Sequence, residues 1–273
     1  MTTDVTGPGD GSDYLDHLAR ESARFLDAVL AASPAARVPT CPDWDADDLL
    51  WHLAGVQWFW AEIVRTRAAD PGFYTEPERP ADRAGLETFF RTASEALGQN
   101  LAEVGPRSRV WTWASEQSAG FVRRRQAHEA LVHRVDAELT AGSRTPLDPA
   151  LAADGVDEAL GVMFGGVPPW GTFVPDAEGA AVRVRAADTG RAGRTWLAVL
   201  GRWTGTSPTS GKTYDEPCLD VRDDDGREAA TLTGRAADLD CTMWNRPPSG
   251  EVVRAGDERS LAIFDAILAD GIQ

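Results

Sequence analysis

The chain has 273 residues, 42% of them hydrophobic, and a formal net charge of −16 from 27 basic and 43 acidic side chains. That length and apolar content support one large domain or two ordinary ones with a real core, and exclude wholesale disorder. The acidic balance argues against nucleic acid or an anionic membrane surface as partner, because phosphate is met by basic side chains.

No apolar run approaches the roughly 18–20 residues that span a bilayer. The opening MTTDVTGPGDGS is polar and Gly-rich, lacks the regions of a signal peptide, and reads as a disordered tail over residues 1–11. Cys41, Cys218 and Cys241 are odd in number and far apart, which indicates neither a disulfide framework nor a Cys-rich zinc cluster. A cytoplasmic protein is expected.

Apolar spacing of three and four predicts four long helices in the first half. The first runs from about Ser12 to Ala32, with Leu15, Leu18, Phe25, Leu26 and Val29 on one face. Pro39-Thr40-Cys41-Pro42 then breaks helix and sets an extended approach, after which Asp43 or Asp45 caps a second helix running to about Arg67. The third spans about Asp82 to Val104 and the fourth about Ser118 to Leu139. A linker-like GSRTPLDP follows, and Asp148 caps a further helix through Met163.

Beyond residue 165 the texture changes. Residues 165–175 (GGVPPWGTFVP) read as irregular, and short strands are expected at Val182–Ala186, Thr195–Leu200, Cys218–Val221 and Ala229–Thr233. Helical stretches return at Ala236–Trp244 and Asp257–Ala269. The predicted class is α+β, with a four-helix bundle over residues 12–164 and a smaller α/β domain over 165–273.

Four histidines are few, so their placement matters. His52 falls on the inward face of the second helix, either as a core imidazole bonded to a carbonyl or as a ligand. On the fourth helix, Glu129 and His133 are four residues apart, separated by about 40° around the axis, and can reach one point. His128, five from His133, falls on another face, so this is not the HExxH arrangement of zinc proteases. Joined by His52, the pair would supply two imidazoles and a carboxylate, a set suited to a divalent metal with open positions. The alternative is a Glu–His surface pair of little energetic weight. Asp136, one turn beyond His133, either orients that ring or is solvated, and His17 is expected at the surface.

These residues also carry a family resemblance. PTCPDW (39–44) followed by DLLWHLAG (48–55), and RRQAHEALVHRVDAE (124–138), resemble two segments of the mycothiol-dependent maleylpyruvate isomerase family. WTW (111–113), ADGVDE (153–158), LTGRAADL (232–239), WNR (244–246) and Gly256-Asp257 are similar to further segments, in order over most of the chain. The resemblance implies a DinB-like bundle with metal ligands at His52, Glu129 and His133, usually holding zinc, plus a small sterol-carrier-like domain. It also implies mycothiol as thiol cosubstrate and a small-molecule electrophile as partner. A metal favours the thiolate over the thiol. That thiolate can add to a double bond, allow rotation and leave, which is cis–trans isomerisation, or it can form a stable conjugate by S-transfer.

A dicarboxylate substrate would call for arginines. Arg124 and Arg125 on the fourth helix and Arg246 in the second domain are the candidates, with solvent exposure, or an Arg125–Glu129 pair, as the alternative. Arg125, Arg246 and Asp136 are the candidate catalytic residues, and Trp51 and Arg124 the candidates for holding the cosubstrate. Trp51, Trp58, Trp60, Trp111 and Trp113 are expected near the site, as bundle core or as an aromatic wall for a bulky, flat substrate. Competing readings are a non-catalytic, metal-stabilised regulatory partner of the same fold and a metal-dependent hydrolase. Either a monomer or a homodimer is compatible with the sequence.

Overall fold

The computed structural model describes residues 12–190 and 193–270; the tail predicted over residues 1–11 lies outside them. The chain divides into two compact units, Met1–Pro146 and Leu147–Gln273.

The first unit is the four-helix bundle. Helix α1 covers Ser12–Ala31, α2 Ala46–Thr66, α3 Arg83–Glu103 and α4 Ala119–Thr140. The starts follow from local capping chemistry. Asp45 accepts from the Asp48 amide while Asp48 accepts from the Asp45 amide, a reciprocal box that opens α2. Asp82 and Ser118 cap α3 and α4 in the same sense. Helix α1 packs mainly on α4 and α2 mainly on α3, with α2 also meeting α4. Phe25, Val29, Leu49, Leu50, Leu53, Leu86 and Phe90 form the core between them. A two-stranded ribbon, β1 (Arg37–Val38) and β2 (Cys41–Asp45), joins α1 to α2, the extended approach that the prolines predict.

Helix α4 buries many polar residues because their partners come with it. The Arg134 guanidinium is fully buried, its Nε 2.7 Å from Glu21 and its Nη1 donating to Glu138 at 3.1 Å. Arg123 donates to the carbonyls of Leu101 and Val104 at 2.6 and 2.7 Å, tying α4 to the end of α3. Such pairing is what makes buried charge tolerable.

The second unit begins with α5 (Pro149–Glu158), capped by Asp148 and continued by a π-helical turn, Ala159–Met163. Its sheet has strands β3 (Gly171–Pro175), β4 (Ala181–Ala186), β5 (Arg194–Thr206), β6 (Thr213–Arg222), β7 (Ala230–Gly234) and β8 (Val253–Ala255). Strand β5 pairs antiparallel with β4 along its first half, with β3 along its second, and with β6 on the other edge. Strand β4 pairs parallel with β7, which carries β8. Helix α6 (Ala236–Met243) packs on α5, and α7 (Glu258–Asp270) packs on the sheet.

Three expectations need correction. Residues 171–175 are not irregular: they pair with Gly201–Gly205, and Pro175 is tolerated because it ends the strand. Strands β5 and β6 are far longer than their apolar cores, because the hairpin continues beyond them beside β3, with Trp203 stacked on Tyr214 at a centroid distance of 5.3 Å. Gly201 allows β3 to approach: a Cβ there would meet the Val174 carbonyl oxygen. Finally, the compact units part between Pro146 and Leu147, not at 164, because α5 packs on α6. Among the described residues, no helix is long and apolar enough to cross a membrane.

Candidate metal centre

The Asp45–Asp48 capping box fixes where α2 begins and so where His52 emerges, facing α4. Helix α4, held by its Ser118 cap and by the buried Arg123 and Arg134, presents Glu129 and His133 one turn apart. His133 Nε2 lies 3.2 Å from Glu129 Oε1, and His52 Nε2 lies 3.8 Å from the same oxygen. The two imidazole rings meet edge to face with centroids 4.8 Å apart. One donor atom from each of the three residues lies within 4.8 Å of the other two.

Supporting groups order this cluster. His133 donates from Nδ1 to Asp136 Oδ2 at 2.9 Å, and Asp136 is fully buried, so the solvated alternative does not hold. Thr40, from the segment between β1 and β2, donates to the other Asp136 oxygen at 2.5 Å. Arg125 is buried and sits 3.2 Å from Glu129 Oε2, which overturns its solvent-exposed reading in favour of the i, i+4 pair. The Trp44 ring tilts over His52 with centroids 4.6 Å apart.

The charges follow from these contacts. Burial alone would raise the Glu129 carboxyl, but hydrogen bonds from His133 and His52 and the Arg125 charge outweigh it and hold it well below the usual range. Burial likewise disfavours a charged His133, yet the bonds to Asp136 and Glu129 prevail and push it up to about 9. Without a metal, the cluster is therefore an imidazolium between two carboxylates.

The fit to a metal is good on donor chemistry. Two imidazole nitrogens and a carboxylate oxygen converge from two helices, and the Asp136 acceptor fixes a proton on His133 Nδ1 so that Nε2 faces the cluster. Three donors leave positions open for exogenous ligands.

An open cleft of about 680 Å³ adjoins His52, with Trp44, Trp51, Phe59 and Tyr74 among its walls and Arg79 beside them. Trp51 thus lies where a bound molecule would touch it. Trp60 also lines the cleft, whereas Trp58 packs toward Phe89, Trp111 stacks on Trp60 and Trp113 is half-exposed on Phe121. Arg124 is partly buried and is not among the cleft's lining residues. Arg246 belongs to the second unit, where it donates to the Trp244 carbonyl at 2.6 Å. His128 turns toward Tyr14, and His17, expected at the surface, is buried and bonded to Arg20. Sequence reasoning missed Trp44, Phe59, Tyr74 and Arg79 as site neighbours. Trp44, in the Pro-flanked strand that leads into the His52 helix, carried the one available signal.

A helical bundle followed by a small sheet unit is a fold already seen in crystals. Two structures, of the mycothiol-dependent maleylpyruvate isomerase and of a His-to-Ala mutant of it, align over 93% of this chain and 96% of theirs, each with a TM-score of 0.57, at 13% and 12% identity. No curated protein sequence matches. Residues 15–138 match the Mycothiol maleylpyruvate isomerase N-terminal domain, and residues 150–262 match the MDMPI C-terminal domain. The chain belongs to the mycothiol maleylpyruvate isomerase family.

Proposed function

We propose that this chain is an enzyme that binds a divalent metal, with zinc as the family expectation, and uses mycothiol as thiol cosubstrate against a small electrophile. The reaction class is thiol S-transfer or cis–trans isomerisation of the maleylpyruvate type. The observation that carries this reading is the convergence of His52, Glu129 and His133, with His133 anchored from behind by Asp136.

When bound, the metal supplies Lewis acidity that favours the nucleophilic thiolate of a coordinated thiol at neutral pH. His52, Glu129 and His133 would hold it. Asp136 keeps the proton on His133 Nδ1, and Thr40 keeps Asp136 in place. Arg125 balances the Glu129 charge, which makes it a positioning residue rather than a substrate clamp. Trp51, on the cleft wall, is assigned to the cosubstrate or the electrophile. Arg124 and Arg246 are the remaining candidates for anionic groups. A cytoplasmic setting suits a chain whose three cysteines form no disulfide.

The test is elemental analysis of purified protein followed by calorimetric titration with mycothiol, for wild type and His52→Ala. One metal per chain, with thiol binding lost in the variant, is the expected result. Metal without thiol affinity would remove the cosubstrate, and no metal after metal-replete purification would remove the centre itself.

A further inference from the structure

The cleft beside His52 combines aromatic walls with carboxylates. Asp43, Asp48 and Glu76 line it together with a single guanidinium, Arg79. That guanidinium is already committed, its Nη1 donating to Asp48 Oδ1 at 2.6 Å. Asp48 in turn belongs to the box that opens α2, so an incoming anion would have to share that guanidinium with a carboxylate already in place. Its carboxyl is held below the usual range, first by the Arg79 hydrogen bond and then by the Asp45 amide, and so stays charged. A small anion entering here would meet three carboxylates and a guanidinium already shared with one of them. An uncharged planar molecule would lose little solvation and gain the aromatic faces. At about 680 Å³ the cleft is also in the range that accommodates a ligand of drug-like size.

We infer that the cleft favours an uncharged, planar electrophile, lying against the Trp51, Phe59 and Tyr74 walls, over an anion of the same shape. This rests on the metal–thiol reading above for the electrophile's role, but its recognition part can be tested without metal or thiol.

Two inert probes of nearly equal shape separate charge from form: N-phenylsuccinimide, which is neutral, and N-(4-carboxyphenyl)succinimide, which is anionic. Calorimetric titration of the full chain should find the neutral probe bound at least tenfold more tightly. Phe59→Ala should weaken the neutral probe about tenfold, and Glu76→Lys should strengthen the anionic probe while leaving the neutral one unchanged. Equal or reversed affinities would overturn the proposal, as would no measurable binding of the neutral probe. Because the probes need neither metal nor thiol, failure here is distinguishable from failure of the metal centre.

Discussion

On the metal reading proposed above, Asp136 sets how the cluster trades a proton for a metal, and a pH series tests this. With His133 pushed up to about 9, only roughly 1% of metal-free chains carry a neutral imidazole there at pH 7. Each binding event must therefore expel a proton. Apparent metal affinity at pH 7 should lie ~100-fold, or about 2.7 kcal/mol, below its high-pH limit, rising roughly tenfold per unit from pH 7 to 9. The metal-free fold responds with the opposite sign. The charged His133 stabilises it fully below its ordinary value of 6.5, and that contribution fades as pH rises through about 9. Asp136→Asn keeps an acceptor for Nδ1–H and removes the charge, so His133 moves back toward its ordinary value and the slope flattens. A weaker acceptor also makes His133 a poorer ligand, a loss on the order of 10–100-fold once protons no longer compete. Wild type and variant should thus be close at pH 7 and well separated at pH 9. Competition against a chelator of known pH dependence gives the affinities, and calorimetry in buffers of different ionisation enthalpy counts the protons. Parallel slopes in the two proteins, or a flat wild type, would refute the reasoning.

Two stability predictions follow from the bundle. Gly55 sits inside α2 where an added Cβ meets nothing within 4 Å, so Gly55→Ala should raise stability by about 0.8–1 kcal/mol, read as a melting temperature a few degrees higher. A lower melting temperature would mean that the cleft wall has less room than it shows. Phe25 is fully buried against Phe90 with centroids 5.2 Å apart, and Phe25→Ala should cost roughly 3–5 kcal/mol in urea unfolding. A cost below about 1 kcal/mol would contradict the core assignment.

The legible parts of this protein were the local ones. Helix periodicity placed all four bundle helices within a residue or two, and of the expected caps Asp45, rather than Asp43, opens α2 and Asp148 opens α5. The Glu129–His133 pair needed only the pitch of one helix. Joining His52 to it needed the packing of α2 on α4, which spacing alone left open and the family resemblance supplied. What stayed hidden depends on chain segments far apart. Strand β3 begins on a glycine and ends on a proline, so it reads as loop, and it is a strand because Gly201 gives its backbone room. The Arg79–Asp48 pair bridges segments with no common pattern. Tryptophans are conspicuous in a sequence, but their faces are not: Trp113 ends half-exposed, while Trp44, in a short strand, covers His52.

Thr40 and Asp136 are separated by 96 positions, yet one hydrogen bond joins the segment that leads into α2 to the back of His133. The donors of the cluster also come from helices that meet only when the bundle closes. An ion held there acts as a clasp across the folded unit, contributing about 2.7 kcal/mol when its free concentration is 100 times its dissociation constant. On the metal reading proposed above, metal supply would then bear on how long this acidic chain stays folded as well as on its chemistry.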